Sequence, residues 1–108
     1  MNPYPVLYDR TRVTFGRIER RDEILALMTR IFARQFSPAL IDWYFDAPRG
    51  PNRWYAAFDE HEPIALYGLL PTLVQLGDQI LNGMLCNNVG IVTEYQGKGL
   101  FQTIGEYA

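Results

Sequence analysis

Near the end of the chain, Gln96-Gly97-Lys98-Gly99-Leu100-Phe101 sets two glycines and the sequence's single lysine at the mouth of a helix-forming segment. Glycines in a turn that leaves a strand can take positive φ and let a ligand approach the backbone. The helix behind them directs its unpaired N–H groups, and the positive end of its dipole, back at the turn. Such a site suits phosphate oxygens, here those of a pyrophosphate, and Lys98 adds a point charge unless it faces solvent. A plain strand-to-helix turn uses the same residue types, so the turn alone leaves both readings open. Two other phosphate motifs are excluded. A P-loop needs Ser or Thr where Gly99 stands and glycine where Val92 stands, and a dinucleotide fingerprint needs glycine in place of Gln102.

Other side chains nearby carry polar chemistry. Asn87-Asn88 is unusual inside a strand, because asparagine is depleted there; the pair serves either a ligand or the backbone groups at a strand irregularity. Glu94 sits at the mouth of the turn. His61 falls in the polar run Asp59-Glu60-His61-Glu62-Pro63 and reads as a solvated loop residue. Cys86, the only cysteine, reads as a small buried apolar residue, and no intrachain disulfide is possible. No spacing of ligand types suggests a metal site.

The elements that must position these residues follow from patterning. Residues 12–19 read as a strand with Val13 and Phe15 as apolar positions. Residues 22–36 read as an amphipathic helix, with Ile24, Leu27, Met28, Ile31 and Phe32 on one stripe. Ser37-Pro38 starts a second helix with a capping serine and a proline at the first position, and the helix stops in a loop over 46–52. Trp43, Tyr44 and Phe45 are expected to pack this helix on the sheet. Strands are expected over 54–58, 64–75 and 80–93, joined by polar turns at 59–63 and 76–79. Pro71 demands a bend or an edge, and glycines 68, 83 and 90 suggest bulges or close backbone approach. The helix over 99–108 has no C-cap signal before the chain ends, which reads as an unfinished element.

Composition sets limits. The 108 residues fit at most one small domain, residues 1–108, and an apolar fraction of 48% supports a real core. A net charge of −2, with ten basic against twelve acidic side chains, gives no basic stripe, so nucleic acid is not an expected partner. No apolar run is long enough to span a membrane, and Met1-Asn2-Pro3-Tyr4-Pro5 has no signal-peptide pattern. With one cysteine, a reducing cytoplasm is the expected location.

The stretch Val89-Gly90-Ile91-Val92-Thr93-Glu94-Tyr95-Gln96-Gly97-Lys98-Gly99-Leu100-Phe101 resembles motif A of the GNAT acetyltransferases, in which a fourth strand leads into Gln/Arg-x-x-Gly-x-Gly/Ala at the start of the third helix. Gln96 and Gly99 match that pattern; Phe101 stands where Gly or Ala is usual, and Thr93 where proline is common. The order of elements also matches, so the resemblance covers about residues 12–108. It implies an α+β fold, a mixed and mainly antiparallel sheet with flanking helices, lacking the half beyond the third helix. It implies transfer of acetyl from acetyl-CoA to an amine on a small-molecule or larger acceptor. The backbone of Val89, Gly90 and Ile91 would pair with the pantetheine arm, much as an added strand does, with Gly90 as the bulge. The amides of Gly97, Lys98, Gly99, Leu100, Phe101 and Gln102, together with Gln96, would hold the pyrophosphate of coenzyme A. Asn87, Asn88 and Glu94 are the candidate acceptor-side groups, and the first two helices of the family also line the acceptor site. The family's acid is commonly a tyrosine on the fourth helix, beyond Ala108, so no catalytic acid is named. The alternative readings are an inactive fragment, or a small interaction or ligand-binding domain, either of which would form a homodimer through an open sheet edge.

Overall fold

The computed structural model describes residues 7–108; the opening residues read above for targeting signals lie outside them. Strand β1 (Val13–Arg17) leads to helices α1 (Arg21–Phe32) and α2 (Pro38–Phe45). Strands β2 (Arg53–Asp59), β3 (Glu62–Leu76) and β4 (Gln79–Ile91) follow, then a 3-10 turn at Thr93–Tyr95 and helix α3 (Leu100–Tyr107). The strands lie in the order β1-β2-β3-β4, and all three pairings are antiparallel. The α+β class expected from the sequence is the observed one.

Alternation along the strands divides the core in two. Ala56 and Leu66 point into a cluster with Ile24, Leu27 and Met28 of α1 and Ile41 of α2. Their neighbours Ala57 and Ala65 join the opposite cluster, with Leu100 and Ile104 of α3. The sheet therefore carries α1 and α2 on one face and α3 on the other. Ile24, Leu27 and Met28 are the buried residues of α1, at i, i+3 and i+4. Burying each contributes roughly 1.5–3 kcal/mol.

Helix α1 stops four residues before the expected end. Ala33 takes a left-handed conformation (φ 53°) and closes the helix at Phe32, while Phe36 packs on the same core from the loop, its ring 5.9 Å from that of Phe32. Helix α2 begins as expected: Ser37 accepts a hydrogen bond from the Ala39 amide, and Pro38 is the first helical residue.

Strand β3 outruns β2, whose pairing with it ends at Leu69 opposite Arg53. From Leu70 onward β3 pairs with β4 alone, and Pro71, opposite Met84, lies on the free side where its missing donor costs no ladder bond. This two-stranded arm turns at Gly77-Asp78 and exposes Leu76, Ile80, Leu81 and Leu85. Strand β4 is the sheet's outer edge, and no described strand pairs with its far side. No helix among the described residues is long and apolar enough to cross a membrane.

One expectation is corrected within β4. Gly90 is not the bulge: it sits in register opposite Leu66. The irregularity lies just before it, where β4 spends three residues from Gly90 to Asn87 against two of β3 from Leu66 to Gly68, and Asn88 takes φ 48°. Gly90 instead makes room for α1. A Cβ there would stand 2.3 Å from Ile31 Cγ2 and 3.3 Å from the Phe32 ring.

Candidate functional site

Strand β4 ends at Ile91, two residues before the expected boundary, because Thr93–Tyr95 forms a 3-10 turn that redirects the chain. The Gln96 side chain then donates from Nε2 to the Ile91 carbonyl at 3.0 Å, tying the turn to the strand end. Gly97 and Gly99 both take positive φ, 74° and 84°, and Gly99 is the residue that opens α3. Conformation more than space requires glycine here: a Cβ at Gly97 would meet nothing within 4 Å. Leu100 and Ile104 anchor the helix in the core, while Phe101 is exposed, so its bulk is directed away from the sheet. The first amides of α3 have no intrahelical acceptor by the geometry of any helix start.

The turn is held by contacts the motif does not announce. The Tyr8 amide donates to the Lys98 carbonyl at 3.1 Å. The Tyr8 hydroxyl donates to Thr103 Oγ1 at 3.3 Å, and Thr103 Oγ1 donates to the Gly99 carbonyl at 3.1 Å. Lys98 Nζ lies 5.6 Å from the centroid of the Tyr95 ring. The Tyr95 hydroxyl donates in turn to Asp59, whose other oxygen stands 3.2 Å from Arg12 Nε. The bond to the Asp59 carboxylate, with help from burial, raises the Tyr95 pKa above the usual tyrosine value. Tyr8, Tyr95, Asp59 and Arg12, with Arg30, Glu94 and Asp9, line a shallow depression beside Lys98.

The other candidates fall elsewhere. Asn87 Nδ2 donates to Asn52 Oδ1 at 2.7 Å and to the Leu85 carbonyl at 3.3 Å. Asn88 Nδ2 donates to Asn87 Oδ1 at 3.1 Å. The asparagines thus brace the β4 bulge against the α2–β2 loop, with Asn52 only 4% exposed. Glu94 is exposed and lies 3.8 Å from Arg30. His61 shares a left-handed two-residue turn with Glu60 (φ 82° and 48°), as a loop histidine should. Cys86 is exposed rather than buried; its position near the start of the β4 irregularity leaves Sγ 3.2 Å from the Tyr67 hydroxyl. That contact raises the Tyr67 pKa, with desolvation adding to it.

The structure therefore brings Val89, Gly90 and Ile91, on the free edge of β4, into sequence continuity with the Gln96–Gln102 turn through one short 3-10 segment. It does not bring Asn87 or Asn88 into a shared cluster with the turn, whereas Glu94 shares the depression beside Lys98. Tyr8, Thr103, Asp59 and Asn52 escaped sequence reasoning because their partners are distant along the chain and no local pattern marks them.

The sequence matches no family model and no curated protein. Solved structures do resemble it. A GNAT family acetyltransferase from Staphylococcus aureus superposes with a TM-score of 0.66 at 10% identity, over 89% of this chain and 74% of that one. Glucosamine-6-phosphate N-acetyltransferase from Arabidopsis thaliana gives 0.63 at 8% identity, over 88% and 70%. A possible acetyltransferase from Clostridium difficile gives 0.57 at 12% identity, over 89% and 68%. At these identities the likeness is one of fold, and the fold of this chain is GNAT-like.

Proposed function

We propose that the chain belongs to an N-acetyltransferase and supplies its coenzyme A-binding part. The observation that supports this most is the pair of positive-φ glycines opening α3 directly after an unpaired edge strand, in a GNAT-like fold. In this reading the free edge groups of Val89, Gly90 and Ile91 pair with the pantetheine arm as an added strand would. The amides from Gly97 to Gln102 receive the pyrophosphate, and Lys98 supplies a positive charge at the turn. Gln96 acts indirectly, through its bond to Ile91. In the reaction the acceptor amine attacks the thioester carbonyl: a C–N bond forms, the C–S bond breaks, the thiolate leaves and the amine gives up a proton. None of the described side chains is assigned as the acid or base; Asn87 and Asn88 are engaged in bracing the bulge.

Coenzyme A should raise the melting temperature of the chain, since a ligand that binds only the native state must stabilise it. Gly99→Val should remove that rise. No shift at millimolar coenzyme A would sink the proposal. A second reading, self-association through the open edge of β4, is favoured by exposed Leu81 and Leu85 on that strand. Sedimentation equilibrium tests it, and a monomer at high micromolar concentration excludes it.

A further inference from the structure

A cavity of about 760 Å³ lies where the end of β1, the α2–β2 loop and the β3–β4 arm meet, lined by none of the residues of the glycine turn. That volume suits a small molecule. Its wall carries three guanidinium groups, Arg17, Arg49 and Arg53, against one carboxylate, Glu19. A cationic cavity in a chain of net charge −2 is a local concentration of charge. Arg17 is already engaged, 3.7 Å from Glu19 and over the Tyr55 ring. Arg49 and Arg53 form no ion pair among the described residues. The rest of the wall sets apolar Phe45, Leu73 and Met84 beside polar Asn52, Thr72 and Asn82.

Trp54 supplies a reporter in the same wall. It is 1% exposed, and its indole Nε1 has no hydrogen-bond partner among the described residues. Trp54 is among the residues that line the cavity beside Arg49 and Arg53, its Nε1 itself closed to solvent.

We infer that this cavity binds a small anionic molecule, a phosphate or carboxylate carried on an apolar body. Arg49 and Arg53 meet the anion, and Trp54, packed in the same wall, senses its arrival. Under the acetyltransferase reading this molecule is the amine acceptor, so the acceptor class is an amine that also bears an acidic group. Only that last role rests on the reading; the anion site does not.

The test is a titration of the 15N-labelled chain with inorganic phosphate and, separately, with benzoate, following the two indole N–H resonances. Trp43, exposed on α2 and absent from the cavity wall, is the internal reference, assigned with Trp43→Phe. The Trp54 indole should shift saturably with phosphate or with benzoate, which identifies the acidic group, while that of Trp43 stays still. Arg49→Gln combined with Arg53→Gln should weaken binding by roughly tenfold or more. Arg10→Gln combined with Arg34→Gln, the same charge change elsewhere, should leave it unchanged. A Trp54 indole unmoved by both probes, or equal weakening by both double variants, overturns the inference. If coenzyme A fails to stabilise the chain but the Trp54 shift is seen, the acetyltransferase reading falls and the anion site stands.

Discussion

Asn87 on β4 and Asn52 in the loop after α2 face each other through a 2.7 Å hydrogen bond, and Asn52 is the buried partner. The bond joins the bulge of the edge strand to the segment that leads into β2, where Asn52 also donates to the Tyr44 carbonyl through its amide. Removing one member leaves a buried amide without its partner, a penalty of about 1–3 kcal/mol. Asn52→Ala and Asn87→Ala should each lower the urea midpoint accordingly. In a double-mutant cycle their effects should couple by more than ~0.5 kcal/mol, because the second substitution removes a group already orphaned. Additive effects would show that the two residues act separately.

A Cβ at Gly90 of β4 would stand 2.3 Å from Ile31 Cγ2 of α1. Gly90→Ala should cost about 1–3 kcal/mol, because the clashing atom, Ile31 Cγ2, sits on a stiff β-branched side chain that cannot swing aside. Adding Ile31→Ala should make the pair less costly than the sum of the two single changes. Strict additivity, read from chemical denaturation, would mean that α1 shifts as a body instead.

That glycine shows where sequence reasoning reached and where it stopped. Ser37-Pro38 and Gly77-Asp78 act through neighbours within a few residues, so the start of α2 and the β3–β4 turn were legible. The turn at Gly97 and Gly99 was legible for the same reason. Gly90 reads in the sequence as a bulge because glycine often marks one, yet its reason is a side chain from a helix. The bulge fell to Asn88, one of the few non-glycine types that tolerates φ near 48°. Tyr8 and Thr103, which hold the glycine turn, and Asn52, which holds the bulge, carry no periodic or motif signal. Their roles exist only once the sheet has brought both ends together.

The early end of α1 gives a stabilising prediction. Ala33 occupies a left-handed position, φ 53°, where a side chain with a Cβ is disfavoured and glycine is the usual helix terminator. Ala33→Gly should raise stability by about 0.5–1 kcal/mol, even after the extra entropy glycine brings to the unfolded chain. Thermal unfolding of the variant checks it; a lower melting temperature would show that Ala33 is not strained as its φ implies.

Tyr95 links the glycine turn to pH through its bond to Asp59. Its pKa is raised in the folded chain, so between the unfolded value, about 10, and the folded value the native state holds a proton that the unfolded state has released. Stability from this bond is therefore fully present below the unfolded tyrosine value and is lost as pH rises through the folded one. Tyr95→Phe should be less stable than the parent at neutral pH, since Asp59 loses a donor and keeps only Arg12. Above the tyrosine range the difference should shrink, because the parent then loses the bond as well. Comparing the two chains cancels the contributions of the other tyrosines, Tyr67 among them. Urea midpoints at neutral and at strongly alkaline pH give the measurement, and a gap that stays constant with pH would rule out this bond as its source.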